Sequence, residues 1–243
     1  MVDIALQLDS VPLLFMYHSV AAYDDDPYRV TVSPRRFGEQ MRLLHRLGIR
    51  GTSMRELLAP PARDAPCLRV GLTFDDGYQD FVTEAVPILA HLGFTATVFV
   101  VAGRLGGCNT WDQPGPPKAL MTAEQVRMAA DAGMEIGSHS LRHVPLPALA
   151  DEALFEEVGH SRAVLQDLTG QQVSGFCYPY DAVTGREVAA VRDAGYEYGC
   201  AVLRSECTGR YALPRIYIGD RDSSVRMFAK WARHRLTWGA NTR

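Results

Sequence analysis

Leu68-Arg69-Val70-Gly71-Leu72-Thr73-Phe74-Asp75-Asp76-Gly77 opens a β–α–β unit. Its first seven residues are mostly apolar without strict alternation, the mark of a strand buried on both faces. Residues 78–92 read as a helix closed by Gly93, with Pro87 inside it as a point of kinking. Residues 95–101, β-branched and aromatic, read as a second buried strand. Two buried strands joined through a helix pair in parallel.

The same alternation continues outward. Upstream, 11–17 is an apolar run. Ser33-Pro34 then gives an N-cap with proline at the first helical position. Phe37, Met41 and Leu44 fall on one face of that helix, and Gly48 stops it. Downstream, 102–119 is a Gly- and Pro-rich loop. Thr122 and Gln125 form a capping box for a helix ending at Gly133. Strands are expected at 134–137, 173–178, 196–201 and 215–218. Helices are expected at 151–168, at 184–194 and, amphipathic, over the C-terminal residues. About six strand–helix alternations with continuous apolar strands give an α/β fold with a parallel sheet, either a barrel or a doubly wound sheet. In both, chemistry gathers at the C-terminal ends of the strands.

Composition bounds the function. The chain has 243 residues, enough for a sizeable core, and a net charge of −3, so no global field draws it to nucleic acid or anionic lipid. The longest purely apolar stretch, 98–102, is too short to cross a bilayer. The first residues show no basic segment followed by an apolar core, so no signal peptide is read and a cytoplasmic location is expected. Cysteines at 67, 108, 177, 200 and 207 form no CxxC pair, so neither a disulfide framework nor a thiolate zinc site is indicated.

Five stretches carry candidate chemistry, four of them at strand ends. Asp75 and Asp76 are costly at a strand end if buried unpaired, and a bound cation would stabilise them. The bland alternative is a solvated Asp-Asp-Gly turn. Ser138-His139-Ser140-Leu141-Arg142-His143 follows another strand. Its two histidines, i and i+4, meet on one ion if the turn is helical; otherwise they are surface or core histidines. One Asp with two His is a three-ligand site with open positions, which leaves the other Asp as a base. Phe176-Cys177-Tyr178-Pro179-Tyr180-Asp181 ends a third strand, where aromatics line a sugar pocket or simply join the core, and Cys177 reads as a buried hydrophobe. His18 ends the first strand, whereas His45, His91, His160 and His234 fall in helices and read as surface residues. Trp111-Asp112 lies in the long loop, as a lid, a substrate wall or a loop anchor.

Thr73-Phe74-Asp75-Asp76-Gly77, Ser138-His139-Ser140-Leu141-Arg142-His143 and Tyr178-Pro179-Tyr180 together resemble the polysaccharide deacetylases, the NodB-homology or carbohydrate esterase family 4 group. The resemblance spans residues 11–218. Met16-Tyr17-His18-Ser19-Val20 and Leu213-Pro214-Arg215-Ile216 resemble the poly-N-acetylglucosamine deacetylase branch. It implies one catalytic domain over 1–243, a distorted (β/α) barrel of about seven parallel strands, and metal-dependent removal of an N-acetyl group from an amino sugar. By position, Asp75 resembles the base; Asp76, His139 and His143 the ligands of one divalent ion, with zinc first and cobalt or nickel as alternatives. Tyr180 resembles the residue whose backbone N–H holds the oxyanion. Trp111, Asp112, Tyr178 and Pro179 are the expected substrate contacts, and the expected partner is an N-acetylated amino sugar, oligosaccharide or glycoconjugate precursor. Three positions depart from the family. Cys177 stands where many members carry the arginine that holds the base, Asp181 replaces a glycine, and a C-terminal Leu-x-His motif is absent. His18 fits the vacant role of general acid, and the group that orients Asp75 is left open. Hydrolysis of another non-peptide C–N bond, or sugar binding without catalysis, are the alternative functions.

Overall fold

The computed structural model describes residues 11–60, 68–202 and 207–238; Cys67 and the extreme termini lie outside them. Strand β1 (Leu14–Tyr17) is followed by the short pair β2 (Ser19–Val20) and β3 (Thr31–Val32), helix α1 (Pro34–Arg46), β4 (Ile49–Thr52) and α2 (Met54–Leu58). Then come β5 (Leu68–Phe74), α3 (Val86–His91), β6 (Thr97–Val100), α4 (Ala123–Asp131) and β7 (Glu135–Ser138). The chain continues through α5 (Asp151–Phe155), α6 (Ser161–Thr169), β8 (Gly175–Cys177), α7 (Gly185–Asp193) and β9 (Tyr198–Ala201). It ends with β10 (Leu213–Pro214), β11 (Ile216–Tyr217) and α8 (Ser224–Trp238).

Every pairing in the main sheet is parallel, in the order β10-β9-β8-β7-β6-β5-β1-β11, with β4 joined to the start of β5. The two ends of that order are consecutive in the chain, separated only by Arg215. Leu213 and Pro214 pair with β9, while Ile216 and Tyr217 pair with β1. One extended segment thus bridges the first and last strands and closes the sheet into a distorted seven-stranded barrel.

Closure divides the apolar residues into two cores. A small cluster of Leu14, Met54, Phe99, Cys177, Tyr198, Cys200 and Leu213 fills the barrel. The larger one lies between strands and outer helices and includes Phe37, Met41 and Leu44 of α1. Burying each such side chain contributes about 1.5–3 kcal/mol. The N-terminal end of the barrel is plugged by polar groups: Glu135 accepts from the Tyr198 hydroxyl at 2.9 Å, from Thr97 Oγ1 at 2.7 Å and from the Arg55 N–H at 2.7 Å. Gly175 makes room for this; a Cβ there would lie 2.1 Å from the Tyr198 hydroxyl.

Local signals act as their chemistry dictates. Ser33 caps α1 with Pro34 behind it, and Thr122 with Gln125 forms a reciprocal capping box on α4. Two expected helices are interrupted. The segment around Pro87 opens with a π-helical turn, Phe81–Ala85, where the Val86 N–H reaches back to the Phe81 carbonyl. Proline lacks the next donor, so the wider turn absorbs the defect. The expected helix over 151–168 likewise widens at Glu156–His160. His234 corrects the reading of it as a surface residue: it is buried, and its Nε2 donates to the Val11 carbonyl at 3.2 Å. Cys108, Cys177 and Cys200 form no disulfide. Among the described residues, no helix is long and apolar enough to cross a membrane.

Candidate active site

The C-terminal ends of β1, β5, β7 and β8 and the junction of β10 with β11 converge on a cavity of about 150 Å³. It is lined by His18, Asp75, Asp76, Trp111, Asp112, His139, His143, Tyr178, Tyr180 and Arg215, among others. Nine of the ten residues singled out from sequence therefore meet here. Pro179 does not line the cavity; it is buried within the turn after β8.

Two tight turns assemble the acidic and imidazole groups. Adjacent side chains on a strand point to opposite faces. Asp76 and Gly77 escape that rule by left-handed φ values of 69° and 71°, which turn Asp76 towards the histidines. The loop after β7 is not the helical turn that the histidine spacing suggested. Ser140 and His143 have φ of 65° and 59°, and Ser140 Oγ accepts from the His143 N–H at 3.0 Å. Such strain in non-glycine residues persists only where surroundings hold it. Here Glu157 does so: its buried carboxylate accepts from the Leu141 and Arg142 N–H groups at 2.9 Å each and from Arg142 Nε at 2.6 Å. Glu157 lies in the π-helical turn, which gives that irregularity a purpose.

The result is a three-donor cluster. Asp76 Oδ1 lies 3.3 Å from His139 Nε2 and 3.3 Å from His143 Nε2. His139 Nδ1 donates to the Cys177 carbonyl at 2.9 Å, which aims Nε2 at Asp76. His143 is held differently. Its ring stacks on Trp111 at 4.2 Å and meets Tyr180 edge-on at 4.7 Å. Its Nδ1 is buried with no hydrogen-bond partner among the described residues. Burial alone would raise the Asp76 carboxyl, yet the imidazoles of His139 and His143 hold it well below the usual carboxylate range.

Asp75 is held by the residue that sequence reasoning left without a role. Arg215 donates through Nη1 to Oδ1 at 2.6 Å and through Nη2 to Oδ2 at 2.7 Å. Arg215 is itself fixed by the Ala201 carbonyl at 3.1 Å, Thr73 Oγ1 at 3.1 Å and Cys177 Sγ at 3.0 Å. Burial pushes the Asp75 carboxyl up, but the guanidinium overcomes it and keeps the group ionised. The arginine missing beside Cys177 is thus supplied by the closing strand, and Cys177 leaves it space. The signal was Arg215 within an otherwise apolar strand pattern. Burial also raises the Cys177 thiol well above its usual range, which leaves it a neutral packing residue.

His18 stands across the cavity, with Nε2 4.0 Å from Asp75 Oδ2. Tyr178 is buried, and its hydroxyl donates to the Tyr211 carbonyl at 2.8 Å, so only its ring faces the cavity. Tyr180 is left-handed, with φ of 58°, and 53 % exposed at the rim. Asp112 Oδ2 accepts from the Tyr78 hydroxyl at 3.1 Å and from Asn109 Nδ2 at 2.9 Å. Those bonds fix the Trp111 loop above His143.

The chain resembles known proteins in the same terms. The family model described as polysaccharide deacetylase matches residues 62–199. The Bacillus subtilis polysaccharide-deacetylase relative YxkH is 28 % identical over 213 residues, covering 86 % of this chain and 71 % of that protein. The poly-β-1,6-N-acetyl-D-glucosamine N-deacetylase of Staphylococcus aureus is 21 % identical over 214 residues, covering 83 % of this chain and 72 % of that one. The solved structure of the Streptococcus pyogenes deacetylase PplD in complex with acetate superposes with a TM-score of 0.75 at 22 % identity, covering 90 % of this chain and 97 % of that one. That likeness establishes the shared fold. With its motifs at the strand ends of this barrel and the family model matched across more than half its length, the chain belongs to the polysaccharide deacetylase family.

Proposed function

We propose that the protein is a metal-dependent N-deacetylase that hydrolyses the N-acetyl group of an amino-sugar substrate to a free amine and acetate, with the whole chain acting as one catalytic domain. The observation that carries this reading is the Asp76–His139–His143 cluster beside an arginine-held Asp75. The donor set suits a divalent ion. Asp76 Oδ1 lies 3.3 Å from each imidazole nitrogen, so one ion could be held by all three residues. One carboxylate and two imidazoles favour zinc, with cobalt or nickel as substitutes. Such an ion supplies Lewis-acid polarisation of an acyl oxygen and acidifies water at the site.

The chain's own groups do the rest. Asp75, kept ionised by Arg215, accepts a proton from the attacking water. The Tyr180 N–H donates to the oxyanion as it develops. His18 gives a proton to the departing nitrogen, so the C–N bond breaks to a neutral amine. The cavity, about 150 Å³, is roughly half the lower limit for a drug-sized ligand. It suits an acetamido group, with the sugar ring left on the rim against Trp111 and Tyr180.

The test is to load the protein with zinc or cobalt, and to measure bound metal together with acetate release from N-acetylglucosamine oligomers. One bound ion with acetate release supports the proposal. Bound metal without release from any N-acetylated sugar would move the reaction to another amide. Failure to bind either metal would sink the ligand assignment.

A further inference from the structure

Helix α8, Ser224–Trp238, leaves an apolar strip facing solvent. Val225, Ala229, Ala232 and Leu236 recur at i, i+4, i+7 and i+11, a single helical face, and Phe228 widens it. Val225 is 78 %, Phe228 60 % and Leu236 82 % exposed. The opposite face does the packing, through Met227, Lys230 and His234. Other large exposed apolar side chains, such as Leu47, Met128 and Phe155, are scattered singly over different elements, which needs no explanation. The α8 strip is continuous.

Charge distinguishes what can cover it. The helix carries Arg226, Lys230, Arg233 and Arg235 and no acidic residue, in a chain whose net charge is −3. Lys230 is already paired with Asp222 at 2.6 Å. The remaining three arginines form no ion pair among the described residues. By helical periodicity Arg226 and Arg233 border the strip on one side and Arg235 borders it on the other. An aromatic-aliphatic strip flanked on both edges by arginine, along a helix of about 22 Å, is the arrangement of a helix lying in a lipid headgroup region. A protein partner would need acidic residues on both sides of an apolar ridge, whereas an anionic bilayer offers both chemistries in one plane.

We propose that the outer face of α8 docks the protein onto an anionic lipid surface. Lys230 donates to the Tyr217 carbonyl at the C-terminal end of β11, while His234 reaches Val11 ahead of β1. The helix therefore runs alongside the strands, and none of its residues lines the cavity.

The experiment is co-sedimentation of the full chain with vesicles of phosphatidylcholine alone and of phosphatidylcholine containing about one-third phosphatidylglycerol. Binding is expected to the second only, and to weaken at high salt. Replacing Arg233 and Arg235 by Gln should weaken it roughly 30-fold, at about 1 kcal/mol for each cation. Phe228→Ser with Leu236→Ser should abolish it, while acetate release from soluble oligomers stays as in the parent. Absence of binding to anionic vesicles, or binding untouched by both variants, overturns the proposal. So does a concentration-dependent dimer by light scattering that the Phe228/Leu236 variant abolishes, because the strip would then be covered by a second copy of the chain.

Discussion

Asp76, His139 and His143 lie within the segment matched by the family model, residues 62–199, whereas His18, directly after β1, and Arg215, between β10 and β11, lie on either side of it. The three donors are held locally, by left-handed turns, by Glu157 and by the Cys177 carbonyl. His18 and Arg215 are held globally, because their places depend on β1, β10 and β11 completing the barrel. The difference teaches that one half of the site is a property of loops and the other a property of closure. Damage to each half should look different.

The largest effect is expected from His139→Ala, which removes a donor: metal content and turnover should vanish together, with the fold retained by circular dichroism. Asp75→Asn should keep the metal and lose about a thousand-fold in kcat, within the range for a positioned base. Equal metal loss in the two variants would erase the division between the halves. Arg215→Met should keep the metal, lower kcat by about a hundred-fold and lower stability by about 3–5 kcal/mol, since Asp75 is left charged and unpaired in the interior. Denaturant unfolding checks this, and combining it with Asp75→Asn should restore most of the stability. His18→Gln should cost about ten- to a hundred-fold on N-acetyl sugars and little on an aryl acetate, whose leaving group needs no proton. A similar loss on both substrates would make His18 a structural residue. Trp111→Ala should raise KM several-fold with a smaller change in kcat, and modestly weaken metal binding, because it frees the His143 ring.

The fold was legible where burial leaves its periodic trace. The runs over Leu68–Phe74 and Thr97–Val100 appear as strands, and Ser33 and Thr122 cap the helices they precede. Ends were less exact: the run read over 173–178 is a strand only at Gly175–Cys177. The widened turns at 81–85 and 156–160 left no periodic signature, because a single extra residue in a turn barely shifts a helical pattern. For the site, Asp75, Asp76, His139 and His143 were legible from type and spacing. The means of bringing the histidines together was not, since i, i+4 spacing suggested a helix where two left-handed residues do the work. Arg215 stands within the Leu213–Ile216 motif, and nothing near it in sequence marks its role. Its partner is 140 residues away, and only barrel closure brings them together.

Closure also sets a sequence of events during synthesis. A chain emerging from the ribosome presents the carboxylates and both histidines before residues 213–217 exist. Pairing Phe15 with Ile216 joins nearly the two ends of the described chain, the kind of long-range contact that forms late. Until then Asp75 lacks its guanidinium, and the barrel lacks a wall. A nascent or C-terminally clipped polypeptide therefore carries every donor of the cluster yet lacks the guanidinium that holds Asp75. The complete set of contacts around Asp75 arrives only with the last strand.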